Sequence, residues 1–418
     1  MAFRRRLPGI AIFAAAAVLL PLSASAQLVV GQYEDEAPYR TWNSFPFISA
    51  AALGRGGTAF AAAGEASAYP ANPAVLPSLP RFTLALGGSD QSAAFSKYGP
   101  VNTGVFLTGE PVSLGLLALD IAGLTYRAGR WAFGASVSLA EIYDRPPAEY
   151  IYESRGVTLY KIRFEQTGVL RIFNLSAGCR LGHGLSLGIG LNLAEGRLER
   201  HFSEEWTSSH IAITDDKTES FSGLYLNGGL AWEPGPRFRL AAVFRTPYRK
   251  KAEGESRVGY QSPGLAEAIV ISGSAEDTLR QPFVAGIGAS ADLLPRLRLS
   301  ADLAYVDWPS YEVSWFEDPQ PRDYRGVLKA GLGLEHVLRF SLFGGPAELW
   351  LRAGLTYDPQ PMSSPASAYF GATAGTGIRW RGLVLEVGIF FARESGSEDD
   401  LHGSRAAISL GYAFGEKR

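Results

Sequence analysis

From residue 81 onward, segment after segment alternates polar and apolar side chains with a period of two, and the gaps between segments take turns being short and long. Residues two apart share one face of a strand. The clearest instance is 347–358, where Ala347, Leu349, Leu351, Ala353, Leu355 and Tyr357 lie on one face; Glu348, Trp350, Arg352, Gly354, Thr356 and Asp358 lie on the other. A water-soluble sandwich alternates in the same way, with its apolar face inward. Connection lengths separate the two. Tight turns at 128–130, 182–183, 233–236, 294–295 and 381–382 interleave with long links at 89–114, 144–167, 198–219 and 250–281, and 338–346 is a less tidy member of the short set. Short turns at one end and long loops at the other are the habit of a membrane β-barrel, and a sandwich has no reason to sort its loops by parity.

The first residues agree. Three arginines precede a stretch, Leu7 to Leu22, that is almost wholly apolar, and Ala24-Ser25-Ala26 is a small-x-small processing site. Residues 1–26 read as a signal peptide cleaved after Ala26, since the stretch is shorter than the roughly 20 residues that span a bilayer. No later run of apolar residues reaches that length, so a membrane protein built from this chain crosses with strands. The net charge of −2 excludes nucleic acid as a partner. The single cysteine, Cys179, has no internal partner and reads as a small hydrophobe.

Strands are expected over 81–88, 115–127, 131–143, 168–181, 184–197, 220–232, 237–249, 282–293, 296–307, 325–337, 347–358, 369–380, 383–393 and 404–414, about fourteen in all. Trp131, Trp232 and Trp380 fall at short-turn ends, and Tyr143, Tyr305, Trp308 and Tyr357 at long-loop ends, as two interfacial girdles require. By the same parity Asn174, Arg180, Ser186, Asn192, Asn227, Arg239, Asp292, Arg298, Asp302, Glu335, Glu348, Arg352 and Glu386 point into the lumen, where mixed charges pair with one another and with whatever fills it. Gly184-Leu185-Ser186-Leu187-Gly188 spells a nucleophile motif, but its serine is in mid-strand rather than at a strand-to-helix turn, and the five histidines lack metal-ligand spacing. No enzyme activity, metal or cofactor is expected.

Residues 27–80 escape the strand pattern. They are rich in alanine and glycine and broken by prolines, which suits a plug enclosed by a barrel of residues 81–418. Trp42, Phe45, Phe47 and Phe60 offer apolar surface to a hydrophobic ligand, as does 265–271 in the long link before the eighth strand, although packing against the wall is the commoner role for such residues. Arg55 is the cation that would meet a ligand carboxylate, or else a lumen acid such as Glu348. Gly134, in the third strand ahead of Arg145-Pro146-Pro147, is the candidate interruption of the wall's hydrogen bonding.

Gly54-Arg55-Gly56-Gly57-Thr58-Ala59, then Glu65-Ala66-Ser67-Ala68-Tyr69 and Asn72-Pro73-Ala74, resembles the hatch of the FadL/TodX outer-membrane transporters. Leu299 to Trp308, Tyr324-Arg325 and Leu351 to Pro361 resemble the late strands of that family, and Phe244-Arg245-Thr246-Pro247-Tyr248 is a weaker third match. The resemblance implies a fourteen-stranded barrel with an N-terminal hatch, ligand capture by outer loops, and lateral exit at a kinked third strand. The chain is accordingly expected to be a monomeric outer-membrane channel for hydrophobic small molecules such as long-chain fatty acids or aromatic hydrocarbons, with membrane lipids and lipopolysaccharide around it. The Asn-Pro-Ala block also occurs in barrels resembling the PorV type, which serve protein secretion or surface attachment, and that remains the alternative.

Overall fold

The computed structural model describes residues 28–29, 49–62, 64–94, 113–143, 145–315, 318–321, 323–361, 363–364, 366–396 and 402–414. A short helix, α1 (Ala50–Gly54), and a 3-10 turn (Pro73–Ser78) precede fourteen wall strands. These are β1 (Phe82–Ala94), β2 (Ser113–Ala128), β3 (Trp131–Ile142, resumed over Arg145–Ser154), β4 (Val157–Gly182), β5 (Leu185–Trp206), β6 (Ile211–Gly235) and β7 (Phe238–Arg245, resumed over Tyr248–Gln261). The circuit continues with β8 (Ile269–Gln281, resumed over Val284–Leu294), β9 (Leu297–Val306), β10 (Val327–Leu342), β11 (Gly345–Pro359), β12 (Ala368–Trp380), β13 (Leu383–Ser395) and β14 (His402–Phe414). Each strand pairs antiparallel with the next, and β14 returns to β1 from Phe82–Phe414 up to Ser92–Ser404, closing the barrel. Among the described residues no helix is long and apolar enough to cross a membrane.

The two faces sort as the alternation requires. Leu84, Phe133, Leu191, Leu226, Leu351 and Leu355 are exposed on the outside, whereas Asn174, Ser186, Asn192, Asn227, Asp302, Glu335, Arg352 and Glu386 are buried in the lumen. Such a surface is stable only in an apolar solvent, because contiguous exposed apolar area of this size is not tolerated in water. Trp131 and Trp232 stand outward at the turn end, where Trp380 anchors its Nε1–H on the Leu342 carbonyl at 3.0 Å. Tyr305 and Tyr357 stand outward at the opposite end.

Three expectations are corrected. The links at 144–167, 198–219 and 250–281 are largely strand: β3 to β8 run on as tall hairpins, with 22 residues in β5 and 25 in β6, against the roughly 9–11 that cross a bilayer. Beyond the membrane the outward face meets water instead of lipid, so in Lys250-Lys251-Ala252-Glu253 burial still alternates, with Lys250 and Ala252 inward, but the sequence loses the polar-apolar alternation that marks a strand below. The untidy turn over 338–346 is in fact two residues, Phe343 and Gly344, both at positive φ (48° and 75°), the geometry of a tight hairpin turn. Tyr143 and Trp308 are not in the outward girdle; both are buried in the lumen.

Candidate functional site

Residues 49–80 lie inside the barrel, fastened by backbone as much as by side chain. Ser49 caps α1 by accepting from the Ala52 N–H at 3.0 Å. Gly54 meets Gly375 so closely that a Cβ on Gly54 would sit 2.8 Å from its Cα, and a Cβ on Gly188 would sit 2.2 Å from the Pro73 carbonyl carbon. Gly56, at φ +65°, turns the chain against the backbone of Leu332 and Leu355. The wall then supplies polar anchors. Asp302 Oδ2 accepts the N–H groups of Ala59 (2.6 Å) and Phe60 (2.9 Å), while the Gly56 N–H reaches Thr373 Oγ1 at 2.9 Å. Asn72 caps the 3-10 turn through Ala74 and donates to the Phe60 carbonyl at 2.7 Å. A chain of amides across β4, β5 and β6, Asn174 to Asn192 to Asn227, ends on the Pro70 carbonyl at 2.7 Å.

Arg55 is the ionic centre of this fastening. Its guanidinium pairs with Glu65 at 2.5 Å and Glu335 at 3.3 Å, and donates to the Thr58 carbonyl. Glu335 is shared with Arg352 (2.7 Å), which holds Glu386 at 2.9 Å. Burial opposes the charge on Arg55, but the Glu65 and Glu335 carboxylates outweigh it and raise its pKa. Toward the turn end the lumen opens into a cavity of about 310 Å³, whose ionic lining includes Arg239, Arg298, Arg339, Glu348 and Arg379.

On the other side of the plug the lumen is apolar and aromatic. Tyr143, Phe221, Tyr225, Leu279, Trp308, Tyr311 and Val327 join plug residues Phe60, Tyr69 and Leu76 in one buried cluster. Tyr225 stacks on Tyr248 at 4.7 Å, and Trp308 meets Tyr311 and Tyr324 at 5.5 and 6.0 Å. Lys250, completely buried, donates to Glu141 Oε2 (3.3 Å) and Tyr143 Oη (2.9 Å) and faces the Phe221 ring at 4.9 Å. Higher on the same strand faces come paired ions, Arg200–Asp215 at 3.4 Å and Lys217–Glu219 at 2.7 Å. Higher still, an exposed apolar rim pairs Val258 with Ile271 and Tyr260 with Ile269 across β7 and β8.

The wall around this aromatic cluster is incomplete at one place. Pairing of β2 with β3 runs from Ala128–Trp131 only as far as Ile121–Ser138, and among the described residues nothing joins Ser113–Asp120 to Leu139–Ile142. Both strands carry a register shift at that level, at Asp120 against β1 and at Ala140 against β4. Below Ala140 the even residues of β3 face inward, as buried Ser138 does; above it the odd ones do, so Glu141 and Tyr143 enter the lumen instead of the lipid. Asp120 likewise turns inward, where it pairs with Arg405 at 2.6 Å and accepts from Ser89.

The structure thus brings together Gly54, Arg55, Gly56, Asn72, Pro73 and Ala74 as contacts between plug and wall. Phe60 packs beside Gly286 and Gly288 at the plug side of the aromatic cluster. Gly134 lies in unbroken ladder between Thr125 and Ser176, and its missing Cβ makes room for the Tyr69 ring. Phe45, Phe47, Trp42 and the signal segment lie outside the described residues. Sequence reasoning missed Lys250, Glu141 and the Val258 and Tyr260 half of the rim, whereas Ile269 and Ile271 belong to the 265–271 stretch it singled out. The signal for Glu141 was present as a lone acid in an otherwise membrane-competent strand, whereas Lys250 was hidden in the basic run Arg249-Lys250-Lys251.

Comparison with known proteins adds the following. A family model described as outer membrane protein transport protein (OMPP1/FadL/TodX) matches residues 45–370. The crystal structure of a Pseudomonas aeruginosa FadL homologue is similar over 89% of this chain and 100% of that one, at TM-score 0.62 and 16% identity. The Pseudomonas putida toluene transporter TodX is similar over 90% and 100%, at TM-score 0.63 and 14% identity. The Ralstonia pickettii toluene transporter TbuX is similar over 89% and 100%, at TM-score 0.59 and 16% identity. At these identities the likeness is one of fold. No curated protein matches by sequence.

Proposed function

The chain belongs to the OMPP1/FadL/TodX family of outer-membrane transport proteins, and from that premise we propose that it is a plugged channel for passive uptake of hydrophobic small molecules, such as long-chain fatty acids or aromatic hydrocarbons. The observation that carries this reading is the unpaired stretch between β2 and β3 beside the aromatic cluster. Apolar cargo gains roughly 0.8 kcal/mol for each methylene it hides from water. The rim of Val258, Tyr260, Ile269 and Ile271 offers that gain at the outer mouth, and the aromatic cluster below is the apolar surface cargo meets next. Straight passage toward the periplasm would instead cross the plug and the ionic cavity around Arg298, Arg352 and Arg379. Sideways release into the bilayer from the aromatic region spares cargo the plug and that second ionic zone.

In this reading Arg55 is an anchor of the plug, Phe60 is the plug's contribution to the aromatic cluster, and the seam above Ser138, not Gly134, is the lateral exit. The protein acts as a monomer in contact with outer-membrane lipids and lipopolysaccharide, after cleavage behind Ala26, with no cofactor and no chemical step of its own. The test is uptake of radiolabelled laurate and toluene by a deletion strain and its complemented counterpart. Complementation is expected to restore uptake of at least one probe. Unchanged uptake of both, accompanied by a defect in protein secretion, would replace transport with an accessory role of the PorV type.

A further inference from the structure

Resting on the reading of the chain as an outer-membrane channel, we propose that Arg249 and Arg280, on the outer surface of β7 and β8, form a binding site for a phosphate group of lipopolysaccharide. The register sets the two directly opposite each other. Both are exposed, while their chain neighbours Lys250, Leu279 and Gln281 are buried on the lumen side. Residues opposite one another on one face of an antiparallel pair have Cβ atoms about 4.5–5.5 Å apart, and like charges so placed repel. Arg280 has a loose counterion in Glu312, 3.6 Å away and as exposed as itself. Among the described residues none pairs with Arg249.

Height on the wall identifies the partner. The outward row just below the two arginines runs Phe244–Ala285–Tyr305 across β7, β8 and β9, with Phe244 and Tyr305 exposed. Tyrosine rings settle at the headgroup level of a membrane. The arginines, next toward the mouth, therefore stand where lipid phosphates lie. Farther out, Lys251 is opposite Thr278, and Glu253 is opposite Glu276 about 14 Å along the strand from Arg249. Charge is thus sorted by height, a cationic rung at the interface and an acidic one above, although a ladder penalises both matched rungs. A phosphate seated between the guanidinium groups accepts from both and replaces their repulsion with charge-assisted hydrogen bonds. Phe244, Ile287 and Leu303 below offer exposed apolar wall to acyl chains of the same molecule, which a free phosphate lacks. The site also lies just above a break in both strands, at Thr246-Pro247 in β7 and Pro282-Phe283 in β8. Proline takes a donor out of the ladder, so a phosphate bridging Arg249 and Arg280 clamps the two legs of the upper hairpin where the wall is weakest.

The experiment measures binding of phosphorylated lipid A, and of the same lipid after its phosphates are removed, to the purified full-length protein in detergent by native mass spectrometry. Folding of each variant is checked by heat-modifiable migration. Wild type is expected to prefer the phosphorylated form by about tenfold or more, the scale of one charge-assisted hydrogen bond. Arg249→Gln/Arg280→Gln is expected to abolish that preference. Arg197→Gln removes an outward cation of β5 that already has Glu199 at 2.8 Å, and is expected to keep it. Hydrogen exchange over 245–250 and 279–284 is expected to slow when wild type binds the phosphorylated lipid. A preference that survives in the double variant, an equal loss in Arg197→Gln, or unchanged exchange at the break overturns the proposal. Displacement of the lipid by millimolar inorganic phosphate does so too, because the site would then belong to a free anion. Equal binding of the two lipids by a wild-type protein that restores uptake in cells overturns the site and leaves transport standing; a clear preference in a protein that restores no uptake keeps the site and removes transport.

Discussion

Arg55 sits where three lines of fastening meet, and its removal separates anchoring from wall integrity. Arg55→Ala leaves Glu65 and Glu335 facing each other without their shared cation, a loss of about 3–5 kcal/mol for one partner of a buried pair. The barrel strands do not depend on it. Faster proteolysis within 49–80, with unchanged heat-modifiable migration, is the expected outcome in a limited-proteolysis time course. Gly188→Val tests the backbone contact: with Pro73 2.2 Å from the new Cβ, the 3-10 turn is expected to be displaced and small polar solutes to leak in a liposome-swelling assay. At this scale the sequence was partly legible. The hatch residues announce themselves because close backbone approach admits only glycine, and a fixed spacing of glycines survives as text. Lys250 does not, because its burial comes from Phe221 and Tyr143 on other strands, and a lysine flanked by Arg249 and Lys251 looks like any solvated one.

Individual strands are legible where lipid on one face and lumen on the other pull composition apart, and illegible where the outward face meets water and carries polar residues too. Thus 347–358 was legible and lies within β11, while the upper halves of β5 and β6 passed for loop although they are continuous ladder from Leu185–Trp232 to Trp206–Ile211. Bulges are invisible in the same way, since one inserted residue has no composition of its own. Deleting Ala140 removes the bulge and makes Leu139 and Glu141 successive rungs against β4, so that Glu141 and Tyr143 still face inward while the kink of β3 is lost. Uptake is expected to fall to the level of the deletion strain with the barrel still folded, and retained uptake would remove the seam from the mechanism. The rim is tested by Ile271→Glu, which places a charge at a site 68% exposed on the mouth side. Initial rates of uptake are expected to show a raised half-saturation concentration and an unchanged maximum, because capture is weakened and passage is not.

Over the whole molecule the order of environments along the axis is apolar rim, ionic belt, aromatic cluster, plug and ionic cavity. Fourteen strands and their closure were legible from alternation and parity of the gaps; this axial order was not, because it is assembled from rows of residues drawn one from each strand. A plug that bars the axis implies tightness to polar solutes. Protein lacking 28–80 is expected to admit arabinose in liposome swelling where the intact protein does not; equal rates would show that something other than the plug seals the lumen. The ladder between β1 and β14, from Phe82–Phe414 upward, sets a schedule as well as a shape. The two edges that must meet belong to the first and last wall strands, so the cylinder stays an open sheet until every strand between them is in place. The hatch has to settle against that sheet beforehand, and once the two edges zip together it is locked in like a ship in a bottle.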